Sequence, residues 1–171
     1  MRIFGVIGWK NSGKTGLMVR LISEITSRGF SVSSVKHAHH RFSLTRLDEE
    51  GHDLLPPGAQ EAIFSSAERW SHLTAAPVAQ DPKLSDLLPK LGPVDLVLVE
   101  GYKLEGHPKI EAFRPETGND LIARTDPRVL AVATTGQPAG LTCPVFHLDD
   151  TRAIADFILE HVGLEHAATS A

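Results

Sequence analysis

The sequence predicts an α/β protein with a mostly parallel sheet that is flanked by helices. Three observations lead to this fold class. Short aliphatic runs alternate with amphipathic segments along the 171 residues, and a glycine-rich loop separates the first run from the first amphipathic segment. Hydrophobic residues make up 42% of the chain but aromatic residues only 6%. Such an aliphatic core suits a parallel sheet that is covered on both faces, and the length suits one domain.

The first elements can be taken in chain order. Residues 2–7 form a short apolar run that ends at a glycine, which predicts a buried first strand. Residues 13–28 carry leucine and isoleucine at helical spacing before Gly29, which predicts a helix. A second strand is predicted at 30–36, and the polar stretch that follows it, through Gly58, predicts a loop.

The rest of the chain continues the alternation. The clearest strand lies at 94–99, and residues 109–114 and 120–124 indicate two partly exposed strands around a turn, which predicts a short antiparallel β extension. The remaining predicted elements are strands near 62–66, 129–134 and 144–148 and helices near 84–91 and 150–162. We expect a single nucleotide-binding domain over 1–162, with 109–124 as an extension for dimerisation, and a flexible tail over 163–171.

Composition excludes several classes of protein. The net charge of -4 and the pI near 6.1 give no basic field, so we expect no nucleic-acid partner. No apolar run approaches the roughly 18 residues of a membrane span. Cys143 is the single cysteine, so no intrachain disulfide can form. These features predict a cytoplasmic protein that does not bind a membrane.

The glycine-rich loop matches a phosphate-binding motif. The segment Gly8-Trp9-Lys10-Asn11-Ser12-Gly13-Lys14-Thr15 fits Gly-x-x-x-x-Gly-Lys-Thr without a gap, between a predicted strand and a predicted helix. Glycines let successive N–H groups point into one concavity, and the helix terminus adds partial positive charge. We expect Lys14 to reach the β- and γ-phosphates and Thr15 to ligate Mg²⁺. The candidate phosphate-binding residues are Gly8, Lys10, Asn11, Ser12, Gly13, Lys14, Thr15 and Gly16.

A phosphate loop also needs a carboxylate that orders Mg²⁺ or the attacking group. Asp95 and Glu100 compete for this role on one predicted strand, about 16 Å apart at its two ends. Ligands of open α/β sheets bind at the carboxyl ends of the strands. Glu100 is therefore the predicted metal and catalytic carboxylate, together with Lys14, and Gly101 lets the backbone approach a ligand closely.

A histidine cluster follows the second predicted strand. Lys36, His37, His39 and His40 lie at its carboxyl end, where a nucleotide would bind. Neither a second cysteine nor a suitable spacing supports a closed zinc site. Polar contacts to a nucleotide or substrate phosphate are the favoured interpretation, and a solvated histidine-rich loop is the alternative.

Charged residues after Glu100 form a third group. Lys103, Lys109, Glu111 and Arg114 project from a loop and the strand that follows it. Of these, Lys103 joins Gly101 as a predicted ligand-binding residue. An exposed edge strand protected by its charges explains the others equally well.

These motifs together resemble the molybdopterin-guanine dinucleotide biosynthesis protein B (MobB) family. The family's order is matched by the loop at 8–15, Lys-His-Ala-His-His at 36–40, Leu-Val-Leu-Val-Glu-Gly-Tyr-Lys at 96–103, Pro-Lys-Ile-Glu at 108–111 with Arg114, and Pro-Val-Phe-His-Leu-Asp-Asp at 144–150. The resemblance spans about residues 2–162.

The resemblance implies a P-loop NTPase-like GTP-binding accessory protein of molybdenum cofactor biosynthesis. Such proteins are homodimers with weak Mg²⁺-dependent GTPase activity. They assist a MobA-like nucleotidyltransferase, which joins GMP to molybdopterin. One segment departs from the family pattern, because 51–59 lacks the lysine and arginines that usually follow the histidines. GTP rather than ATP also rests on the resemblance, since the sequence has no Asn-Lys-x-Asp motif.

Two other functions stay open on the residues alone. The His37, His39 and His40 cluster beside a phosphate loop suits a metallochaperone GTPase, although no Cys-x-Cys or Cys-x-x-Cys motif accompanies it. A small-molecule kinase or ligase of the dethiobiotin-synthetase type also pairs a phosphate loop with an acid-glycine step.

Overall fold

A computed structural model describes residues 1–37, 61–65, 70–74 and 82–164. The chain divides into two compact units, Met1–His37 with Leu84–Ala171, and Ala38–Lys83. The helices and strands are β1 Arg2–Ile7, α1 Lys14–Ser27, β2 Val32–Lys36, β3 Glu61–Ser65, β4 Trp70–Thr74, α2 Leu84–Leu87, β5 Leu96–Glu100, β6 Lys109–Phe113, β7 Val129–Thr134, β8 Val145–His147 and α3 Thr151–His161. Single 3₁₀ turns lie at Leu88–Lys90, Pro115–Thr117 and Ile122–Arg124.

The first unit is built on a six-stranded sheet with the order β2-β5-β1-β6-β7-β8. Every pair of neighbours in this sheet is parallel, so all six carboxyl ends meet at one edge. β1 lies inside the sheet between β5 and β6. The loop after β1 therefore emerges with neighbouring strand ends on both sides.

Aliphatic side chains cover both faces of the sheet. In β5, Leu96 and Leu98 pack into the core formed with α1 and α3, whereas Val97 and Val99 pack into the core on the other face with Leu84 of α2. This period-two division is what a strand that is buried on both faces requires. It fixes the position of Glu100 at the end of β5.

The second unit contains an antiparallel pair in which β3 and β4 run from Glu61↔Thr74 to Ser65↔Trp70. The strand predicted near 62–66 is thus found as β3, while β4 was not predicted. The short antiparallel element of the fold consists of β3 and β4, which lie at 61–74 rather than at 109–124.

The strand predicted at 109–114 is found as β6, but its predicted exposure is wrong, and the strand predicted at 120–124 is not formed. β6 is buried along its whole length between β1 and β7, and residues 122–124 form a 3₁₀ turn instead of a strand. The charges of Lys109 and Glu111 suggested contact with solvent. Both side chains are fully buried and are satisfied by backbone groups instead.

The other predicted elements of the first unit are confirmed within a few residues, and with them the mostly parallel α/β fold. The predicted helix at 84–91 is shorter than expected, because α2 ends at Leu87 and a 3₁₀ turn that contains Pro89 continues it. No helix in the described part of the chain is long and apolar enough to span a membrane. The single domain over 1–162 and the flexible tail stay predictions.

Candidate functional site

The predicted site residues of the first unit meet at the carboxyl edge of the sheet. The loop at 8–15 follows β1, Lys36 ends β2, and Glu100 ends β5. The parallel register pairs Glu100 with Val6 of β1 on one side and with Lys36 of β2 on the other. The strand direction that favoured Glu100 over Asp95 is therefore confirmed.

Two glycines permit the tight path of the loop. Gly8 has φ 145°, and a Cβ there would collide with the backbone oxygen of Ala112 on β6. Gly13 has φ 94°, and a Cβ there would lie 3.0 Å from Leu148 and 3.3 Å from Arg114. The loop is thus pressed against the neighbouring strand end, where no L-residue with a side chain fits.

The amino terminus of α1 offers an anion site. Gly13 is its N-cap residue, and no described side chain caps it, nor does an acidic residue occupy its first turn. Unpaired N–H groups and the helix dipole favour a negative ligand there. A cavity of about 360 Å³ opens at this position and is lined by Asn11, Gly13, Lys14, Thr15, Gly16 and Arg114.

Ser12 adds a second observation at the same place. Its side chain is 1% exposed, and among the described residues its Oγ has no hydrogen-bond partner. A buried hydroxyl without a partner is costly to keep, at about 1–3 kcal/mol. The Ser12 hydroxyl is therefore available to bond to a ligand beside the helix terminus.

Lys14 lies at the centre of the positive charge. Its Nζ donates to the backbone oxygen of Trp9 at 2.5 Å, so the ammonium folds back over the loop. Burial lowers the pKa of Lys14, and the positive charges of Lys103 and Lys36 lower it further, whereas Glu100 raises it. A phosphate that reached this position would restore the balance of charge, since three ammonium groups surround one carboxylate.

Thr15 and Glu100 supply the oxygens of the predicted metal site. The Thr15 hydroxyl donates to Oε1 of Glu100 at 2.8 Å. Nζ of Lys36 donates to Oγ1 of Thr15 at 3.1 Å and lies 3.2 Å from Oε2 of Glu100. A hydroxyl and a carboxylate are the hard oxygen donors that Mg²⁺ prefers, so these residues fit that ion.

The start of the histidine cluster packs against the end of β5. The His37 ring stacks on Tyr102 with a centroid distance of 4.4 Å, and the His37 N–H donates to the Glu100 carbonyl. Gly101 has φ 92°, and a Cβ there would lie 3.1 Å from Cβ of His37. His37 thus closes the β2–β5 edge, while His39 and His40 lie outside the described residues.

Lys103 contacts Trp9 of the phosphate loop. Nζ of Lys103 lies 3.8 Å from the centre of the Trp9 ring, and Nε1 of Trp9 donates to the Asp120 carbonyl at 2.7 Å. Burial lowers the pKa of Lys103, and the charge of Glu111 raises it. The backbone oxygen of Lys103 also accepts from the buried ammonium of Lys109. Lys109 therefore holds the backbone of the Lys103 segment from inside the sheet.

Arg114 is a functional candidate that the sequence analysis noted but did not assign to the site. It follows β6, lines the cavity at the start of α1, and also lines an adjoining cavity of about 520 Å³ with Lys10 and Asn11. The signal that points to it is its place directly after a strand, at the same edge of the sheet as Glu100. Because the sequence predicts an exposed edge strand at 109–114, it does not indicate this position for Arg114.

Asp95 lies at the opposite end of β5. Its Oδ2 accepts from the Ser31 N–H at 2.8 Å and from the Ser31 hydroxyl at 2.6 Å. The hydroxyl bond first, and the backbone bond second, lower the pKa of Asp95. Asp95 ties β5 to the start of β2 and takes no part in the site.

The described residues contain no group of three His, Cys, Asp or Glu side chains that is arranged to hold a metal ion. The donor set at the phosphate loop is therefore the hydroxyl and carboxylate pair of Thr15 and Glu100. The role of the full histidine cluster is untested, since it extends beyond these residues.

The chain is similar in sequence to proteins of known families. Residues 3–135 match the family model described as molybdopterin guanine dinucleotide synthesis protein B. A molybdopterin-guanine dinucleotide biosynthesis adapter protein of Escherichia coli strain K12 is 32% identical over 157 residues, which cover 89% of this chain and 88% of that protein. The protein of the same description in Haemophilus influenzae is 37% identical over 161 residues, 91% of this chain and 86% of that protein.

A solved structure agrees with these matches. The crystal structure of a MobB protein homologue from Bacillus stearothermophilus superposes with a TM-score of 0.73 at 28% identity, covering 96% of this chain and all of that one. The likeness extends over the parallel sheet and its flanking helices, which confirms the predicted fold class.

Proposed function

The chain belongs to the molybdopterin guanine dinucleotide synthesis protein B family, and we propose that it is a nucleotide-binding adapter in molybdopterin guanine dinucleotide biosynthesis. The proposed nucleotide is GTP with Mg²⁺, and the proposed partner is a MobA-like nucleotidyltransferase that attaches GMP to molybdopterin. One observation carries the proposal: an uncapped helix terminus, Lys14 and Thr15 meet at one cavity, and the Thr15 hydroxyl is hydrogen-bonded to Glu100.

The chain's own residues divide the work of binding. The N–H groups at the start of α1 would donate to phosphate oxygens, and the Ser12 hydroxyl, which has no partner among the described residues, would add a further donor. Lys14 and Arg114 both line the cavity and would supply positive charge to the phosphates. Thr15 and Glu100 would hold Mg²⁺, which when bound neutralises charge that develops on the phosphates.

We propose that hydrolysis is slow and secondary. Lys14 and Glu100 are the groups placed to act on it, Lys14 by stabilising phosphate charge and Glu100 by ordering the hydroxyl and cation beside it. An adapter uses the bound nucleotide to present a surface or a ligand to its partner. Such an adapter requires occupancy of the site rather than turnover.

A titration with purified protein tests the nucleotide. Calorimetric titrations with GTP and ATP, each with Mg²⁺, should show GTP binding at least tenfold tighter than ATP. Equal affinities would contradict the assignment of the base, and binding of neither would contradict the assignment of the site.

Affinity capture tests the partner. The tagged protein, incubated with native cytoplasmic extract, GTP and Mg²⁺, should retain a nucleotidyltransferase that carries a pterin, and a Lys14→Ala bait should retain less of it. Retention that does not depend on Lys14 would argue that the partner does not sense the nucleotide.

Homodimerisation and the cytoplasmic location remain predictions. The dimer now depends on the family resemblance, because the strands at 109–124 that motivated it are not an exposed extension. A mass of about 37 kDa by light scattering at micromolar concentration, twice the 18.5 kDa of one chain, is the expected result. A mass near that of one chain would contradict it.

A further inference from the structure

Lys36 stands between the two residues that would bind the metal. Its Nζ lies 3.1 Å from Oγ1 of Thr15 and 3.2 Å from Oε2 of Glu100, while Thr15 donates its own proton to Oε1 of Glu100. A single ammonium thus contacts both donors of the proposed metal site. The register explains why: Lys36 and Glu100 are paired residues on neighbouring parallel strands, each at its carboxyl end.

A metal ion and this ammonium need the same space. Mg²⁺ binds oxygen at about 2.0–2.1 Å and demands nearly octahedral geometry, so it has to approach closer to Thr15 and Glu100 than Lys36 does. Two cations that share one carboxylate also repel each other. The ammonium therefore has to leave when the metal arrives.

The two partners differ in their freedom to move. The Glu100 side chain is 8% exposed, whereas the Lys36 side chain is 50% exposed and carries its ammonium on a flexible four-carbon stem. The oxygens are thus held in place while the ammonium of Lys36 can move away. A competing cation can therefore displace Lys36 without a change in the conformation of the loop.

We propose that Lys36 is an internal cation that competes with Mg²⁺ for the oxygens of Thr15 and Glu100. The inference rests on the proposed nucleotide site and goes beyond it. Lys36 keeps the nucleotide-free protein from binding divalent metal, and it takes the place of the metal when a triphosphate binds without one. Metal binding releases the ammonium towards the phosphates.

The neighbouring ammonium groups do not share this role. Nζ of Lys14 is bound to the Trp9 carbonyl, and Nζ of Lys103 lies over the Trp9 ring. Both raise the positive potential at the site but contact neither donor oxygen. Lys103→Met is therefore the comparison for charge alone, since it removes one nearby ammonium that contacts neither Thr15 nor Glu100.

The first experiment measures metal binding without nucleotide. Mn²⁺ is titrated into the nucleotide-free protein and the free ion is followed by electron paramagnetic resonance. Lys36→Met should bind Mn²⁺ about tenfold more tightly than the native protein, and Lys103→Met should differ from native by about threefold or less. Equal affinities for Lys36→Met and native protein, or equal gains in both variants, would overturn the proposal.

The second experiment measures the coupling between metal and nucleotide. The affinity for GTP is measured with Mg²⁺ and with EDTA, and the ratio of the two dissociation constants is compared between variants. Lys36→Met should raise the dependence on Mg²⁺ about tenfold, whereas Lys36→Arg, which keeps a cation, should stay near the native ratio. An unchanged ratio in Lys36→Met would count against competition.

The two experiments separate failure of this inference from failure of the proposed function. If the native protein binds no triphosphate under either condition, the proposed function fails, and the Mn²⁺ titration still decides the role of Lys36. Circular dichroism checks that each variant is folded. Lys36→Gln serves as the second neutral variant, and it should reproduce the tighter Mn²⁺ binding of Lys36→Met.

Discussion

The two ends of β5 carry carboxylates that serve opposite purposes. Asp95 at the amino end accepts the hydroxyl and N–H of Ser31, and the Ser31 hydroxyl in turn accepts from the Asp95 N–H at 2.9 Å. Among the described residues, the Glu100 carboxylate at the carboxyl end bonds only to side chains, those of Thr15 and Lys36. The Asp95 end is closed by reciprocal bonds with the backbone and hydroxyl of Ser31, whereas the Glu100 carboxylate is held by side chains that a ligand can displace.

The same contrast holds around each end. At the carboxyl edge, Gly8 and Gly13 adopt φ values that favour glycine, and the Ser12 hydroxyl is buried without a partner in the described residues. Strain and unused hydrogen-bonding capacity of this kind persist where function requires them. Residue type alone therefore does not identify a binding site. What marks it is a polar group whose partners are replaceable.

The largest effect on the carboxyl edge of the sheet is expected from Lys14→Ala. The ammonium folds over the loop and gives little to the fold, since its bond goes to the neighbouring Trp9 carbonyl. Affinity for triphosphate should fall by between about a hundredfold and a thousandfold, as for the loss of one well-placed charged donor. Calorimetric titration measures the affinity, and thermal unfolding should show little change. Lys90→Ala, on an exposed turn, is the control and should bind like the native protein.

Glu100→Gln tests the two ends of β5 against each other. The amide keeps the size but loses the charge that holds Lys36 and orders Thr15. Steady-state GTP hydrolysis should fall about a hundredfold, and affinity should fall much less, because the N–H groups of α1 and Lys14 still bind phosphate. Asp95→Asn, about 16 Å away, should leave turnover nearly unchanged. If Asp95→Asn is the more damaging variant, the site has been placed at the wrong edge.

Much of the phosphate loop and of the sheet could be predicted from local pattern. The loop at 8–15 combines a motif with strand and helix signals, and the position of Glu100 follows from strand direction alone. These features depend on contiguous sequence. Their physical cause lies within the segment that shows the pattern.

The features that were missed depend on how the segments before and after β6 fold back onto its side chains. Lys109 and Glu111 looked solvated because charge usually means exposure. Their partners are backbone groups at 103, 105, 122 and 123, which no local pattern reveals. The same error hid Arg114, since a central strand was taken for an edge. The contact of Lys36 with both metal donors likewise required the β2–β5 register, which only the folded sheet provides.

Glu111→Ala tests the buried carboxylate that holds the turn at Ile122–Arg124. Both carboxylate oxygens accept backbone N–H groups, from Ile122 at 3.0 Å and Ala123 at 2.9 Å, and the side chain is fully buried. Removing it strands both donors, so the free energy of unfolding should fall by about 2 kcal/mol. Urea denaturation measures this loss.

Glu111→Gln sharpens the same test. Its amide oxygen still accepts one of the two N–H groups, so the loss of stability should be smaller than in Glu111→Ala. Because Trp9 donates to the neighbouring Asp120 carbonyl, the Trp9 fluorescence of Glu111→Ala should also shift. A stability equal to that of the native protein would show that the buried carboxylate does not hold this turn.

The smallest expected effect concerns His107, on the loop that returns from the carboxyl end of β5 to the amino end of β6. Its ring lies against Gly5 of β1, where a Cβ would collide with the imidazole, and both ring nitrogens are buried without a hydrogen-bond partner among the described residues. Burial, with the charge of Lys109 second, lowers the pKa of His107 to about 4.

This depressed pKa makes stability depend on pH with a definite sign. The unfolded chain binds a proton at His107 below about pH 6.5, whereas the folded chain resists protonation down to about pH 4. Stability from this group is therefore fully present above about pH 6.5 and is lost as the pH falls towards 4. Because the ring is partly exposed, the loss at pH 5 should be about 1 kcal/mol.

Urea denaturation at pH 7 and pH 5 should show this loss in the native protein and in His147→Gln, which alters an exposed histidine. His107→Leu should abolish that part of the difference, and a variant as sensitive to acid as the native protein would assign the loss to other groups.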